Sequence, residues 1–177
     1  MEVVFKSCTN DSELQQILSL QQKNHLQNVD ADEKEKEGFV TVSHTLEQLF
    51  NMNAVCPHII AKDQDRVVGY ALCMHPRFGN DIEVLKPMFK EIASVIPKGD
   101  PYMAMGQICI DKEYRRRGIF RKLYETMKNH IQPEFKSIIT EVDATNLRSL
   151  DAHYAVGFEE LKTYHSGGQD WKLIILK

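Results

Sequence analysis

The chain has 177 residues, 42% of them hydrophobic, a length at which a compact domain can bury a core without disulfides or bound metal. Its 22 Lys and Arg against 25 Asp and Glu give a formal net charge of −3, which excludes a general attraction to nucleic acid or an anionic membrane. Its 4 cysteines are widely spaced without a C-x-x-C pair, so we predict one domain over 1–177 with reduced thiols and no metal.

The N-terminal residues have neither the basic start nor the apolar stretch of a signal peptide. No apolar run reaches the ~18 residues that a transmembrane helix needs, so we expect a cytoplasmic protein with no membrane partner. Val3–Lys6 is predicted to form a short strand. Asn10, followed three residues later by a glutamate, predicts the start of a helix that ends near Leu26.

Charged residues separate this helix from the next one. The run Asp30–Glu37 cannot bury apolar surface and is predicted to be a solvated loop or helix end. Ser43 is predicted to cap a second helix that ends around Asn53. Two β-branched runs on either side of a polar turn then predict a hairpin, formed by His58–Lys62 and Arg66–Met74.

The rest of the chain alternates helical and extended patterns. Apolar residues at spacings of three and four predict an amphipathic helix over Asp81–Ala93. A long strand is predicted over Tyr102–Asp111, followed by a loop and a helix from Ile119 to Met127. A strand over Ser137–Asp143 and a short helix over Asn146–Val156 come next. The runs Phe158–His165 and Asp170–Leu176 are predicted to form a hairpin with a glycine-containing turn.

Arginines cluster where the long strand runs into its helix, at Arg115, Arg116, Arg117 and Arg121. The first backbone N–H groups of a helix have no intrahelical partners and, with the helix dipole, form a site for an anion. Cations at a helix end that is already positive are unfavourable unless an anion binds there, so their presence indicates an anion site. Gly118 allows the backbone to bend at this point. No G-x-x-x-x-G-K-[ST] string is present and the glycines are too few for a dinucleotide fold.

Two stretches resemble the GNAT superfamily of acyl-CoA-dependent N-acyltransferases. The segment Arg115–Phe120 is similar to the family's Q/R-x-x-G-x-G/A motif at its first arginine and first glycine, although Phe120 stands where the family has a small residue. Asn146–Phe158 resembles the N-x-x-[AS]…Y-x-x-x-G-F stretch. Counted back from the glycine, the tyrosine slot falls on His153, which shares a helix face with Asn146, and Tyr154 comes one residue late.

The resemblance implies an α+β fold, with a mixed and largely antiparallel sheet of six to seven strands flanked by helices. An extra helix would lie between the third and fourth strands. It also implies direct transfer of an acetyl group from acetyl-CoA to a primary amine, with monomer and homodimer both open. The residues expected to bind the coenzyme are Ile108, Cys109, Ile110, Arg115, Arg116, Arg117, Gly118, Ile119, Phe120, Arg121 and Asn146.

The catalytic candidates are less sharply defined. His153 is the first choice for protonating the leaving thiolate and Tyr154 the second. Glu141 is a candidate general base, as are Asp143, His44 and His58, and water relays are an equal alternative. Cys109 is more naturally a core residue than a nucleophile, because no base is displayed near it.

Three hypotheses remain open from the sequence. The leading one is an N-acetyltransferase that acts on a small molecule or peptide, with Gly38–Thr41 and the helix from Leu46 lining the acceptor entrance. The second is a non-catalytic module that binds or senses acyl-CoA. The third, a nucleic-acid binder, is disfavoured because the basic residues form no stripe and the net charge is negative.

Overall fold

The computed structural model describes residues 2–25 and 40–177, which form one sheet of seven strands with five α-helices against its faces. The strands are β1 Val4–Ser7, β2 Ile59–Asp63, β3 Arg66–Met74, β4 Tyr102–Ile110, β5 Ser137–Asp143, β6 Glu159–Ser166 and β7 Gln169–Leu176. The helices are α1 Asp11–Asn24, α2 Leu46–Val55, α3 Lys86–Val95, α4 Ile119–Ile131 and α5 Leu147–Val156.

Helices α1 and α2 start at side chains that accept the first backbone N–H groups. The Asn10 side chain accepts from the Glu13 backbone at 2.9 Å, which confirms the predicted start of α1. The predicted cap of α2 at Ser43 is wrong, because Thr45 and Gln48 form a reciprocal capping box there instead. Helix α1 ends at Asn24, two residues before the predicted end near Leu26. The predicted charged loop over residues 30–37 lies outside the described residues.

The strand order is β1-β2-β3-β4-β5-β7-β6, and every neighbouring pair except β4 with β5 is antiparallel. This confirms the predicted mixed, largely antiparallel sheet. The parallel pair is short, since its register covers only Tyr102–Ala104 against Ser137–Ile139. Beyond it, the Thr140 hydroxyl donates to the Met105 carbonyl at 2.9 Å, and the two strands diverge.

Apolar side chains cover both faces of the sheet. Helices α1, α2 and α3 pack one buried cluster, to which they contribute Ile17, Leu49 and Ile92. Helix α4 packs the second cluster with Leu123 and Met127. The predicted helix between the third and fourth strands is present as α3. Of the helices in the described ranges, none has the length and hydropathy to cross a membrane.

The capping box makes a prediction about stability. We expect Thr45→Ala to lower the free energy of unfolding by about 1 kcal/mol, because the Gln48 backbone N–H loses its acceptor. Urea unfolding would measure the change. Ser43→Ala is the matched control, and an equal loss in that variant would contradict the observed cap.

Candidate functional site

The loop between β4 and α4 is fixed by Asp111, which is buried. One carboxylate oxygen accepts from the Glu113 backbone at 3.2 Å and starts a 3₁₀ turn. The other accepts from Arg66 at 2.6 Å and Lys23 at 3.2 Å. Burial raises the pKa of Asp111, but the Glu113 backbone hydrogen bond and the two cations outweigh it and lower that pKa overall. The loop therefore starts from a charged and well-held anchor.

The backbone of this loop turns through two left-handed residues, Arg116 at φ 62° and Gly118 at φ 76°. Gly118 is the N-cap of α4 and has no side chain with which to cap it, so the first N–H groups of α4 are available to a ligand. A Cβ added to Gly118 would have no described atom within 4 Å. The need for glycine therefore comes from the positive φ and not from crowding.

Several arginine side chains of the loop contact the protein itself. Arg115 donates to the Ile110 carbonyl at 3.1 Å and to Asn24 Oδ1 at 2.8 Å. Arg117 lies over the Tyr114 ring at 5.1 Å, and Arg121 donates to the carbonyl of Ala155. These side chains hold the loop in place while adding positive charge around it.

A cavity of about 280 Å³ lies against this loop. Nine of the eleven residues that the sequence assigned to coenzyme binding line this cavity. The two that do not are Arg117 and Arg121. Sequence reasoning did not assign the other six lining residues, Arg148 and Ser149 among them. Ser149 stands at the [AS] position of the stretch that resembles the GNAT motif, which was a usable signal. The full lining is Asn24, Val40, Ile108, Cys109, Ile110, Tyr114, Arg115, Arg116, Gly118, Ile119, Phe120, Asn146, Arg148, Ser149 and Ala152.

A second cavity, of about 90 Å³, adjoins the first. Both are lined by Val40, Ile108, Asn146 and Ser149, which places them side by side where β4 and β5 diverge. The second cavity carries the carboxylates of β5 and apolar side chains from α3, β4 and β7. Its other lining residues are Thr41, Val42, Leu85, Met88, Met105, Gly106, Gln107, Thr140, Glu141, Val142, Asp143, His153 and Trp171.

His153 is buried, with both ring nitrogens hydrogen-bonded. Nδ1 lies 2.7 Å from the Ser149 carbonyl and must donate to it, so Nε2 accepts from the Tyr124 hydroxyl at 2.8 Å. Burial lowers the pKa of His153 to about 4, although the bond to Ser149 opposes this. The imidazole is therefore neutral at neutral pH, and this geometry does not favour the predicted role as proton donor.

Phe120 packs edge-on against His153, with ring centroids 4.9 Å apart and planes at 90°. Phe158 also packs edge-on against the imidazole, with ring centroids 5.1 Å apart. The two residues that depart from the GNAT motifs, Phe120 and His153, are thus in direct contact. Tyr154 is 39% exposed and lines neither cavity, so the structure does not bring it to the predicted site.

Glu141 is partly buried in the second cavity and accepts a hydrogen bond from the Tyr164 hydroxyl. Burial raises the pKa of Glu141 to about 7, although the bond from Tyr164 opposes the rise. Asp143 lies two residues further along the same wall, where its Oδ1 accepts from the Thr145 backbone at 2.8 Å and hydroxyl at 2.7 Å. A carboxylate that is half ionised near neutral pH is suited to proton transfer.

The remaining candidates lie elsewhere. His44 and His58 are buried and line neither cavity, and burial lowers their pKa values to about 4 and about 3. Cys109 lines the first cavity, but burial raises the pKa of its thiol to about 12. A thiol with so high a pKa is a poor nucleophile, which agrees with its assignment to the core.

The mixed sheet and the open N-terminus of α4 agree with the fold that the sequence resemblance implies, and the comparisons with known proteins specify the family. The family model described as Acetyltransferase (GNAT) family matches residues 15–158. The chain belongs to the GNAT acetyltransferase family. No curated protein matches it by sequence.

Solved structures share the fold at low identity. A chain of the NatC complex bound to Gag peptide and CoA is 18% identical with a TM-score of 0.68, over 99% of this chain and 98% of that one. The ribosomal-protein-S18-alanine N-acetyltransferase from Escherichia coli is 14% identical, at 0.64, over 99% and 93%. YncA from Salmonella typhimurium, solved with its cofactor acetyl-CoA, is 10% identical, at 0.66, over 100% and 94%.

The buried histidines predict an acid-sensitive fold. His44 has a pKa lowered to about 4 in the folded chain, against about 6.5 when unfolded, so its contribution is complete above pH ~6.5 and is lost as the pH falls towards 4. We expect His44→Leu to reduce the pH slope of the unfolding free energy near pH 5.5 by about 1.2 kcal/mol per pH unit. Urea unfolding at several pH values would measure the slope. The exposed His130→Gln is the control, and an unchanged slope in His44→Leu would contradict the assignment.

Proposed function

We propose that this protein transfers an acetyl group from acetyl-CoA to a primary amine by direct attack in a ternary complex. The observation that carries the proposal is the pair of adjoining cavities at the divergence of β4 and β5. One cavity ends at an open helix N-terminus, and the other contains a carboxylate whose pKa is near 7. Membership of the GNAT family and the acetyl-CoA in a related structure support the same function.

The first cavity is suited to the coenzyme. The N–H groups that follow Gly118 would bind the pyrophosphate, with the surrounding arginines adding positive charge. Ile108, Cys109 and Ile110 lie on the part of β4 that does not pair with β5. Their backbone groups would hydrogen-bond the pantetheine arm and stabilise the oxyanion of the tetrahedral intermediate.

The second cavity is suited to an amine acceptor. Glu141 and Asp143 give it negative charge, which favours the approach of an ammonium group. Leu85, Met88 and Trp171 give it apolar walls for the carbon skeleton beside that group. We propose that the acceptor is an amine of a small molecule or peptide whose reactive end enters here.

The nitrogen has to lose two protons on the way from ammonium to amide. In the proposed mechanism, Glu141 takes the first proton from the ammonium, and the nitrogen lone pair attacks the thioester carbonyl. The C–N bond forms, the C–S bond breaks as the tetrahedral intermediate collapses, the nitrogen gives its second proton to water, and coenzyme A leaves as a thiolate. A thiol with a pKa near ~8.5 is a fair leaving group, so the thiolate can take its proton from water.

A second candidate function is supported by one observation. The slot that the GNAT family fills with tyrosine is occupied here by His153, which is neutral and bonded at both ring nitrogens. An acyl-CoA sensor would use the first cavity without transferring the acetyl group. Calorimetry with acetyl-CoA, followed by thiol release with a panel of amines, separates the functions. Binding with amine-dependent release supports the enzyme, binding without release supports the sensor, and the absence of binding overturns both.

The loop geometry predicts which variants lose the coenzyme. We expect Gly118→Val to weaken coenzyme A binding by about tenfold or more, because valine strongly disfavours the positive φ that aims the N–H groups. Arg117→Ala should weaken it only about two- to threefold, because that side chain packs on Tyr114. Titration calorimetry measures both. Gly99→Val places the same strain at φ 95° outside the cavity, and an equal loss of affinity there would contradict the account.

If Glu141 is the general base, its replacement should reduce turnover and leave coenzyme binding unchanged. We expect Glu141→Gln to slow amine acetylation by about 100-fold or more, because the amide cannot accept the ammonium proton. Coenzyme binding should stay unchanged, and thiol release measures the rate. The exposed Glu159→Gln is the matched control. Full activity in Glu141→Gln would remove Glu141 from the mechanism.

A further inference from the structure

Tyr164 reaches Glu141 from two strands away. It lies near the end of β6, whose neighbour β7 separates it from β5, and its register partner on β7 is Trp171. The Tyr164 hydroxyl donates a hydrogen bond to Glu141 Oε2. The donor is partly buried, and it lines neither cavity.

We infer that Tyr164 is a positioning residue that sets the orientation and ionisation of Glu141. The inference rests on the proposed role of Glu141 as the general base. A carboxylate has two oxygens, and a hydroxyl that holds Oε2 leaves Oε1 to face the acceptor. Because the bond is made from a neighbouring hairpin and not from solvent, it persists when a substrate displaces water from the cavity.

The charged groups around this pair are few among the described residues. From α3, Glu91 lies near Tyr164 and is bonded to Lys162 of β6 at 2.5 Å. Asp143 shares the strand of Glu141, and His153 of α5 lines the same cavity. On β7, Lys172 pairs with Glu160 at 3.0 Å, on the opposite face from Glu141. No described cation contacts Glu141, so the Tyr164 hydroxyl is the described group that favours its charged form.

The two effects on Glu141 have opposite signs. Burial favours the neutral carboxylic acid and raises its pKa, whereas the Tyr164 hydroxyl favours the carboxylate and lowers it. Their balance leaves the pKa of Glu141 at about 7. Burial and the neighbouring Glu141 raise the pKa of Tyr164 above its ordinary value, so its hydroxyl stays protonated and acts only as a donor.

A purely structural role for Tyr164 makes a different prediction. If the hydroxyl only fastened β6 to β5, its removal would lower stability and leave the titration of Glu141 where it was. The distinguishing readout is therefore the pKa of Glu141 itself. It can be measured by ¹³C NMR of the glutamate side-chain carboxyl carbons, with the Glu141 resonance assigned by its loss in Glu141→Gln.

The test compares the full-length protein with Tyr164→Phe, which keeps the ring and removes the hydroxyl. Loss of a hydrogen bond to a charged group should raise the titration midpoint of Glu141 by about one pH unit. Tyr102→Phe is the matched control, because it removes the same hydroxyl from another partly buried tyrosine, on β4. An unmoved midpoint in Tyr164→Phe, or an equal rise in Tyr102→Phe, would overturn the inference.

Kinetics supply the second readout. With a reactive amine, the acidic limb of kcat/KM for Tyr164→Phe should move to higher pH by the same interval. The rate at pH 7 should fall about fivefold and recover at higher pH. Equal loss at every pH would overturn the inference. If no amine is acetylated, the proposed function fails, whereas the carboxyl titration still decides whether Tyr164 sets the ionisation of Glu141.

Discussion

The divergence of β4 and β5 is the constraint on which the site depends. Parallel pairing ends after Ala104 and Ile139, and Thr140 closes the junction with a side-chain bond to Met105. Backbone groups of a central strand would normally be consumed by the sheet. Their release here leaves β4 unpaired on its β5 side, and two cavities with shared lining residues adjoin at this point. The proposed roles of the open N-terminus of α4 and of the β5 carboxylates both depend on this opening.

The rings of Phe120, Tyr124 and His153 pack together, and this contact links the two positions that depart from the family motifs. Phe120 replaces a small residue next to the anion site, and His153 replaces a tyrosine two turns into α5. In the structure, the phenyl ring packs against the imidazole, and Tyr124 donates to its second nitrogen. Each substitution thus contacts the other, while the backbone N–H of Phe120 stays at the start of α4. Both ring nitrogens of His153 are hydrogen-bonded within the protein, so the proposed reaction does not use this side chain to protonate the thiolate.

Local signals predicted most of the fold. The Asn10 cap, the hairpin of β2 with β3 and the arginine loop were readable because each depends on residues close in sequence. Ser43 was misjudged as a cap because Thr45 has the same chemistry two residues later, and only the Gln48 bond distinguishes them. Helical periodicity correctly predicted that the His153 side chain points into the protein, where it is buried.

Other features of the site depend on residues far apart in the chain. The Tyr124 hydroxyl that bonds to His153 lies 29 residues away in the chain, and the Tyr164 hydroxyl that bonds to Glu141 lies 23 residues away. No spacing rule links such pairs. Arg148 was missed because an exposed arginine on a helix gives no sequence signal until the helix is placed against the loop after β4.

The most direct test of the central claim is a structure of the protein with acetyl-CoA bound. The account predicts the pyrophosphate against the backbone N–H groups that follow Gly118, and the thioester carbonyl beside Ile108 where β4 leaves β5. The acetyl group should point towards Glu141 in the second cavity. A coenzyme whose pyrophosphate contacts only arginine side chains, or whose acetyl group points away from the divergence of β4 and β5, would contradict it.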